Sequence, residues 1–405
     1  MSVPEQCADV VVIGGGVIGL TTALYLQRAG RSVTLVAASL AGEGASAGNA
    51  GMIVPSHVIP LSAPGVISQG LRWLTRRDAP FHLKPQLNLA FLRWLWQFRA
   101  HCTAAHVERC IPILRDLGLA SVEGFDELAA ESDDFGLAHT GLLIAYHTPA
   151  MEDAMAHEAE KARCAGLEAR VLDTAGLRAK QPHLRSNATG AILYEQDARV
   201  DPNLLLASLC RRFEEAGGEM RHGVTVSSIE SGRVTLLGGE LTAEDIVVCA
   251  GAWTPRLVPR ISIQPARGYS VTIKAPRDSP PIPMILIEDR VTMTLMPGKL
   301  RFAGTLSLSG FESKVDQLRI RPILDEARRY QPDLNTDELP VWSGYRPASP
   351  DGLPFIGRVA DGVWVNAGHG MMGVSLAPAS GKLMCALVTG TEPPVSPGPF
   401  APDRL

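Results

Sequence analysis

The amino-acid sequence predicts a mixed α/β protein that begins with a doubly wound, parallel-stranded sheet. Residues 10–13 form an unbroken β-branched run, Val-Val-Val-Ile, which is typical of a strand buried on both faces. A glycine cluster follows, then helix-forming residues up to Arg28, and then Gly30, where a helix C-cap belongs. Residues 33–36, Val-Thr-Leu-Val, predict a second strand. The unit is therefore β-α-β.

The stretch from Val10 to Leu26 contains no charged residue and resembles a membrane span or a signal peptide in hydropathy. Asp9 precedes it, where a signal peptide carries positive charge, and no small-x-small cleavage site follows. It is also slightly short for the hydrocarbon core of a bilayer. We therefore expect this stretch to belong to the β-α-β unit.

The composition excludes two broad classes of protein. The 405-residue chain has 38 Lys+Arg against 42 Asp+Glu, a formal net charge of −4, which lacks the basic footprint of a nucleic-acid binder. Its hydrophobic content of 46% with 20% charged residues excludes wholesale disorder, and its length predicts two or three domains. The seven cysteines form no C-x-x-C pair, so we expect reduced structural thiols in a cytosolic protein and no metal site.

The glycine cluster carries the pattern Gly14-x-Gly16-x-x-Gly19 between a strand and a helix, where it predicts a dinucleotide-binding turn. Gly14 permits the tight turn, Gly16 lets the backbone approach a pyrophosphate, and Gly19 allows the helix to pack closely on the strand. The N–H groups at the start of the helix then face the phosphate charge. The alternative is a glycine turn in an unrelated α/β fold.

One element of the dinucleotide pattern is absent. Such a unit usually carries Asp or Glu at the end of its second strand, where the carboxylate binds a ribose hydroxyl. Here that strand leads into Ala37 and Ser39, and the next carboxylate, Glu43, lies beyond the expected turn. Ser39 can make only a weaker contact. We therefore expect a looser adenosine end, with a loss on the order of 1.5–3 kcal/mol in binding free energy.

Several other segments carry small residues or distinctive motifs. They are the stretch 44–52, Gly-Tyr-Arg-Pro at 344–347, Pro-Asp-Gly-Leu-Pro-Phe-Ile-Gly at 350–357 and Val-Trp-Val-Asn-Ala-Gly-His-Gly at 363–370. Together with the N-terminal glycines they resemble the FAD-dependent D-amino-acid oxidase/glycine oxidase superfamily, over nearly the whole chain. The motifs at 49–51, 63–65, 93–96 and 268–270 look most like those of bacterial D-amino acid dehydrogenases of the small-subunit type.

The resemblance implies a fold of two interleaved domains. A doubly wound Rossmann-type FAD-binding domain would comprise residues 1–54, 150–262 and 340–405. A mixed-sheet substrate domain facing the flavin would comprise residues 55–149 and 263–339. The sequence is compatible with this division, because short strand-like runs occur around residues 269–273, 292–296 and 300–304.

The resemblance also implies an activity. It is the FAD-dependent oxidative deamination of D-amino acids to 2-oxo acids and ammonia, with a hydride passing from the α-carbon to flavin N5 and the electrons then to a quinone-type acceptor. Three alternatives stay open. They are a D-proline or cis-4-hydroxy-D-proline dehydrogenase, a glycine- or sarcosine-type amine oxidase that uses oxygen, and a non-catalytic FAD-containing subunit of a larger complex.

The substrate carboxylate requires a cation, ideally a forked one that fixes its direction. Arg346 is the first candidate, because its Gly-Tyr-Arg-Pro setting matches the substrate-binding arginine of the family, and Arg267 is the second. The alternative for Arg346 is a surface arginine paired with Asp351. Tyr269 is a candidate hydrogen-bond donor to the carboxylate, or else a core tyrosine.

Two histidines are candidate general bases. His369 precedes a Gly-Met-Met-Gly segment that we expect to begin a helix facing the flavin pyrimidine ring, and His57 lies on a loop that can reach the site. For both, the alternative is a purely structural role, since hydride transfer needs a deprotonated amine but not necessarily a protein base. The candidate cofactor-binding residues are Gly14, Gly16, Val17, Gly19, Ser39, Ser46, Asn49, Ala50, Gly51, Met52, Val226, Ala250, Gly251, Trp253, Gly344, Gly370, Met371, Met372 and Gly373.

Aromatic and cationic side chains alternate between residues 67 and 102. The aromatic ones are Trp73, Phe81, Phe91, Trp94, Trp96 and Phe98, and the cationic ones are Arg72, Arg76, Arg77, Lys84, Arg93 and Arg99. This mixture is typical of an interfacial helix pair that touches a membrane or admits a quinone, but also of an amphipathic helix whose aromatics pack inward. With the resemblance, it favours a cytoplasmic protein in peripheral contact with the inner face of the cell membrane.

Overall fold

The computed structural model describes residues 7–39, 43–68, 81–83, 86, 88–311, 315–335 and 339–405. Its strands, in chain order, are β1 (Cys7–Ile13), β2 (Val33–Ala37), β3 (Met52–Ile53), β4 (Phe81–Leu83), β5 (Leu142–Tyr146), β6 (Ala169–Leu172), β7 (Gly190–Tyr194), β8 (Ala198–Arg199), β9 (Glu219–His222), β10 (Val226–Glu230), β11 (Arg233–Leu236), β12 (Gly239–Val248), β13 (Gln264–Lys274), β14 (Met284–Leu286), β15 (Val291–Met296), β16 (Lys299–Leu308), β17 (Val341–Ala348), β18 (Phe355–Ala360) and β19 (Val363–Ala367). The helices are α1 (Val17–Arg28), α2 (Leu89–His101), α3 (Ala104–Glu131), α4 (Pro149–Cys164), α5 (Thr174–Lys180), α6 (Pro202–Glu215), α7 (Thr254–Leu257), α8 (Gln317–Tyr330) and α9 (Ala377–Thr389).

The first sheet has a parallel centre. Its strand order is β10-β11-β12-β1-β2-β9, with β19 beside β12 and β18 beside β19. β1 pairs in parallel with both β12 and β2, and β2 pairs in parallel with β9. Val10, Val11 and Val12 are fully buried, since apolar clusters cover both faces of β1. The predicted doubly wound α/β domain is therefore confirmed.

The uncharged stretch 10–26 forms β1, a glycine turn and most of α1, as predicted. Throughout the described ranges, no helix is both long enough and apolar enough to cross a bilayer. The cysteines whose side chains are described are all free thiols, namely Cys102, Cys110, Cys164, Cys210, Cys249 and Cys385.

The second sheet is mixed. Its strand order is β17-β13-β16-β15-β14-β5-β7-β6, with β4 beside β16. Most neighbours are antiparallel, whereas β14 with β5 and β16 with β4 are parallel. α8 packs against this sheet, where Ile323 joins Val271 and Phe302 in one buried cluster. The strand-like runs expected between residues 269 and 304 are β13, β15 and β16.

The chain passes between the two sheets more often than the sequence-based boundaries indicate. Those boundaries place residues 150–262 and 340–405 with the first sheet, but β6, β7 and β17 pair within the second. A short apolar run has the same pattern in either sheet. Its long-range partner decides where it belongs, and no local signal in the sequence identifies that partner.

One buried arginine joins the second sheet to the small-residue loop at 44–52. Arg301 of β16 is 5% exposed, and its Nη1 donates hydrogen bonds of 2.7 Å to the carbonyl oxygens of Ala47 and Asn49. Its Nε donates to the hydroxyl of Thr272 on the neighbouring strand β13. These bonds hold the loop against the second sheet, at the edge of the cavity described next.

Candidate active site

A cavity of about 940 Å³ lies between the two sheets. Its wall runs from the turn between β1 and α1, past the small-residue loop at 44–52, to β15, β16 and β17 of the second sheet. The volume lies at the upper end of the usual range for small-molecule and cofactor sites. The cavity is therefore large enough for a dinucleotide at one end and a small substrate at the other.

The glycine turn forms a cradle at the first end of the cavity. Gly14 has φ of 124°, and a Cβ there would overlap the carbonyl oxygen of Cys249. Gly16 is the N-cap of α1 and contributes no side-chain cap, while the Val17 amide donates to Ser46 Oγ at 3.1 Å. Backbone N–H groups at a helix start suit a pyrophosphate. These residues therefore fit the phosphates of a dinucleotide.

Gly19 acts by packing and does not line the cavity. A Cβ at this position would overlap the carbonyl oxygen of Gly14. Gly51 also does not line the cavity. Its backbone is left-handed (φ of 72°), and a Cβ at this position would overlap the carbonyl oxygen of Val200. The other expected cofactor-binding residues all line the cavity, namely Gly14, Gly16, Val17, Ser39, Ser46, Asn49, Ala50, Met52, Val226, Ala250, Gly251, Trp253, Gly344, Gly370, Met371, Met372 and Gly373.

The small-residue loop is shaped to lie against an indole ring. A Cβ on either Gly48 or Gly344 would overlap Trp342 of β17, so glycine is required on both sides of this ring. Asn49 Oδ1 accepts a hydrogen bond of 2.8 Å from the Gly51 amide and fixes the following turn. Trp342 itself lines the cavity, and sequence analysis did not identify it as a site residue.

The segment 370–373 reaches the cavity, but it does not begin a helix. α9 begins at Ala377, with a proline in its first turn, and the residues before it form successive turns. Proline is favoured in the first turn of a helix, and glycine at 373 disfavours one. Together they explain why α9 begins at Ala377 and not at Gly370. The Leu376 amide donates to the Met372 carbonyl oxygen at 2.9 Å, so these turns are internally bonded.

Arg346 of β17 lines the substrate-domain side of the cavity and is half-buried. Desolvation lowers its pKa to about 10, so the guanidinium remains charged at neutral pH. Its Nη1 donates to the carbonyl oxygen of Thr305 at 2.7 Å, and a Cβ on Gly268 would lie 2.5 Å from its Cζ. Asp351 is paired with Arg404, whose Nε and Nη2 donate to the two carboxylate oxygens at 2.7 and 3.0 Å, and it does not pair with Arg346. The surface ion pair is therefore excluded.

Neither Tyr269 nor Arg267 lines the cavity, so neither is placed to bind the substrate carboxylate, and the core alternative holds for Tyr269. Tyr269 is 2% exposed in the core of the second sheet, and its hydroxyl accepts from the Asp316 amide at 3.3 Å. The Arg267 guanidinium lies over the Tyr269 ring and donates to Ser343 Oγ at 2.9 Å. In β13, residues 267 and 269 share the face opposite to Gly268, and Gly268 is the residue that contacts Arg346.

Tyr345 lines the cavity in place of Tyr269. The centroid of its ring lies 5.8 Å from that of Trp253 and 5.1 Å from that of Phe311, both in edge-on contacts. The rings of Trp253 and Phe311 stack on each other with centroids 5.1 Å apart. Trp253 and Phe311 are 39% and 41% exposed, so this aromatic cluster lies at the mouth of the cavity. Tyr345 belongs to the Gly-Tyr-Arg-Pro motif but was not identified as a site residue, because its neighbours in the cluster are distant along the chain.

Both candidate histidines line the cavity as neutral side chains. Burial lowers the pKa of His57 to about 4 and that of His369 to about 3. His369 forms a 3.0 Å hydrogen bond between Nε2 and Ser380 Oγ. Ser56, next to His57, bonds the buried carboxyl of Asp197 at 2.5 Å, which fixes the loop. Groups with such low pKa values are weak general bases near neutral pH.

The fold and the cavity define a dinucleotide-binding oxidoreductase whose second sheet closes a small-substrate site. The chain belongs to the family of FAD dependent oxidoreductases, whose model matches residues 9–387. FAD is therefore its cofactor. It is 32% identical to a D-amino acid dehydrogenase of Methylobacterium nodulans, with 96% of each chain covered. It is 31% identical to D-amino acid dehydrogenase 2 of Ralstonia nicotianae, over 98% of this chain and all of that one.

Two solved structures share the fold. Glycine oxidase from Geobacillus kaustophilus has a TM-score of 0.77 at 24% identity, with 99% of each chain covered. L-proline dehydrogenase from P. horikoshii has a TM-score of 0.73 at 18% identity, over 99% of this chain and 98% of that one.

Replacing Ala37 by glutamate is expected to tighten FAD binding. Ala37 ends β2 and lines the cavity, where a carboxylate would reach the adenosine ribose. A charge-assisted hydrogen bond is worth on the order of 1.5–3 kcal/mol, or roughly tenfold to a hundredfold in Kd. Titration of the apoprotein with FAD, followed by flavin fluorescence, measures the change. Ala37→Gln is the uncharged control. An unchanged Kd in Ala37→Glu would contradict the looser adenosine end.

His57→Gln and His369→Gln are each expected to slow flavin reduction by less than about tenfold, which is below the roughly hundredfold to ten-thousandfold loss typical of removing a general base. Both imidazoles are neutral and weakly basic, so neither is suited to remove a proton from the substrate amine. Stopped-flow reduction of the bound flavin under anaerobic conditions gives the rate. A loss of a hundredfold or more in either variant would identify that histidine as an essential base.

Proposed function

We propose that the protein is a FAD-dependent D-amino acid dehydrogenase, which oxidises the substrate to an imine that water converts to a 2-oxo acid and ammonia. The observation that carries this proposal is a charged, half-buried guanidinium, Arg346, on the wall of the same cavity that the glycine cradle lines. The relatives named D-amino acid dehydrogenase, at about one-third identity over nearly the full chain, support it.

In this proposal, Arg346 binds the α-carboxylate of the substrate. Its bond to the Thr305 carbonyl oxygen holds the guanidinium in place, and the absence of a side chain at Gly268 leaves room for it. A fixed, forked donor orients the carboxylate and therefore the Cα–H bond. FAD, when bound, supplies the two-electron acceptor for that hydrogen. In the same proposal, the aromatic cluster of Trp253, Phe311 and Tyr345 limits the entry of water at the mouth of the cavity.

The proposed electron acceptor is a quinone rather than oxygen. In the test, the purified, FAD-loaded protein is incubated separately with D- and L-enantiomers of several amino acids, with D-proline and cis-4-hydroxy-D-proline, and with glycine and sarcosine, and the products are measured. We expect a D-amino acid to yield a 2-oxo acid and ammonia with a soluble quinone analogue, and only slow peroxide formation in air. Rapid peroxide formation from glycine or sarcosine would establish the oxidase alternative instead.

An exposed apolar stripe on α2 supports the proposed contact with a membrane. Leu89, Leu92 and Trp96 lie on one side of this helix and are 85%, 49% and 72% exposed. Arg93 and Arg99 flank them, which suits an interface with anionic lipid. The opposite side of α2 packs inward, with Phe91, Trp94 and Phe98 buried. The inward-packing alternative therefore holds for this side of α2, and the membrane contact is proposed for the exposed side. The expected contributions of Arg72, Trp73, Arg76, Arg77 and Lys84, and of the Phe81 side chain, lie outside the described residues.

Trp96→Ser is expected to weaken binding to vesicles that contain anionic lipid. An exposed indole at an interface loses its favourable burial when it is replaced by a small polar side chain. Co-sedimentation of the full chain with vesicles of mixed neutral and anionic phospholipid measures the bound fraction. Leu237→Ser, which removes a side chain that is 73% exposed on the hairpin between β11 and β12, is the control. Equal binding by wild type and Trp96→Ser would contradict the membrane contact.

A further inference from the structure

A β-bulge interrupts β16 on the substrate-domain side of the cavity. The register of β16 against β13 shifts at Gly268, where two residues of β16, Thr305 and Leu306, oppose this single residue. Bulges bend a strand and re-aim its groups, and they are over-represented next to active sites. Both residues of this bulge line the cavity, so the bulge is part of the cavity wall.

The backbone of the bulge is strained at Thr305. This residue has φ of 58°, and among the described residues the other non-glycine position with left-handed φ is Arg290 at 53°. Glycine is the usual residue in a bulge of this conformation, because a β-branched residue with positive φ is a genuine outlier. Such strain persists where the surrounding structure enforces it, and it concentrates at ligand-binding sites. Since glycine would adopt the conformation without strain, we expect the threonine side chain to contribute something that a hydrogen atom cannot.

The bulge also holds the arginine that the proposed function assigns to the substrate carboxylate. The Thr305 carbonyl oxygen accepts a hydrogen bond of 2.7 Å from Arg346 Nη1. Gly268, opposite the bulge, has no side chain, and a Cβ there would lie 2.5 Å from the Arg346 Cζ. The guanidinium therefore lies between the bulge and the glycine. A carboxylate that binds Arg346 is held beside Thr305.

The Thr305 hydroxyl is available as a hydrogen-bond acceptor. Its Oγ1 donates a hydrogen bond of 2.8 Å to the Gly304 carbonyl oxygen, which uses the one hydrogen of the hydroxyl. The oxygen keeps its lone pairs, so it can accept a hydrogen bond from an N–H group. In an α-amino acid, the amine is attached to the carbon next to the carboxylate. A residue that adjoins the carboxylate-binding guanidinium is therefore well placed to meet the amine.

We infer that Thr305 binds the α-amine of the substrate through its side-chain hydroxyl. The inference rests on the proposed function, in which Arg346 binds the α-carboxylate of the same molecule. One bulge then holds two of the four substituents of the α-carbon. Because the Cα–H bond must also face the flavin, two fixed substituents determine which enantiomer is accepted.

A binding test measures the amine contact without turnover. Benzoate and anthranilate, which carries a neutral amine beside its carboxylate, are titrated separately into the FAD-loaded protein, and the shift in the visible spectrum of the flavin reports binding. We expect the wild type to bind anthranilate about twofold to tenfold more tightly than benzoate, the range of one neutral hydrogen bond. Thr305→Val and Thr305→Gly should both remove this difference. Valine disfavours the left-handed backbone and glycine favours it, so a loss shared by both variants identifies the hydroxyl as the cause.

The same titrations separate this inference from the proposed function. An equal preference for anthranilate in the wild type and in both variants, or no preference in the wild type, would overturn the role of Thr305. Failure of both ligands to bind the wild type would contradict the carboxylate site at Arg346, and with it the proposed function on which the inference rests.

A second experiment compares stability with activity. Thr305→Gly removes strain, so its apoprotein should unfold at or above the wild-type temperature, while kcat/KM for a D-amino acid falls by at least about threefold. Thr305→Ser keeps the hydroxyl and should recover most of that loss. The control is Thr235→Gly in β11, which does not line the cavity and should lower the unfolding temperature with kcat/KM unchanged. Wild-type kcat/KM in Thr305→Gly would overturn the inference.

Discussion

Arg346→Met is expected to lower kcat/KM for D-amino acids by between about thirtyfold and several thousandfold. Truncating one partner of a buried, hydrogen-bonded charge pair costs about 2–5 kcal/mol, because the other charge is left without compensation. Arg346 is suited to this role, since it is half-buried in the cavity wall, stays charged with a pKa of about 10, and is fixed by Thr305. Arg346→Lys keeps the charge and loses the fork, so we expect a raised KM and a loss of at least about tenfold.

A second variant tests the same guanidinium without removing it. Gly268→Ala introduces a Cβ 2.5 Å from the Arg346 Cζ, so the guanidinium must shift and KM should rise. Gly239→Ala, at a glycine with open space around it, is the control for a glycine-to-alanine change in a strand. Wild-type kinetics in both Arg346→Lys and Gly268→Ala would remove Arg346 from the substrate site.

Gly19→Ala is expected to weaken FAD binding by a hundredfold or more, which corresponds to about 2.8 kcal/mol. The added Cβ would overlap the carbonyl oxygen of Gly14 and lie 3.0 Å from its carbonyl carbon. Both contacts are with backbone, so α1 can accommodate the methyl group only by moving away from the turn that faces the pyrophosphate. Titration of the apoprotein with FAD measures the dissociation constant.

The control for this variant is Gly398→Ala, because no atom lies within 4 Å of a Cβ at that position. The thermal unfolding of the two apoproteins distinguishes a lost cofactor site from a misfolded chain. A folded Gly19→Ala protein with unchanged FAD affinity would contradict the close packing of α1 on the glycine turn.

The cofactor half of the site could be predicted from sequence because its determinants are local. Gly14, Gly16 and Val17 adjoin one another along the chain, and a strand–turn–helix pattern fixes their geometry before any long-range contact forms. The small-residue loop was likewise identified from its composition. Its partner Trp342 was not, because the contact joins Gly48 to a strand almost three hundred residues later.

The substrate-binding part of the site could not be predicted in the same way, because its geometry depends on the pairing register of strands that are distant along the chain. Tyr269 and Gly268 are adjacent in sequence, yet they lie on opposite faces of β13, and only the pairing of β13 with β17 determines which face meets Arg346. Thr305 lies in a bulge without a sequence motif, and its place beside Arg346 follows from the pairing of β16 with β13. The interleaved β6 and β7 were assigned to the other domain for the same reason.

Anaerobic mixing of the FAD-loaded protein with the two enantiomers of one amino acid tests the central claim most directly. The claim is that one cavity holds a bound flavin and, beside it, a substrate whose carboxylate is held by an arginine. We expect the D-enantiomer to bleach the visible absorbance of the flavin and the L-enantiomer to leave it unchanged, with bleaching slowed in Arg346→Lys. Purified, folded protein that stays colourless after incubation with FAD, or a flavin that no amino acid reduces, would contradict the account.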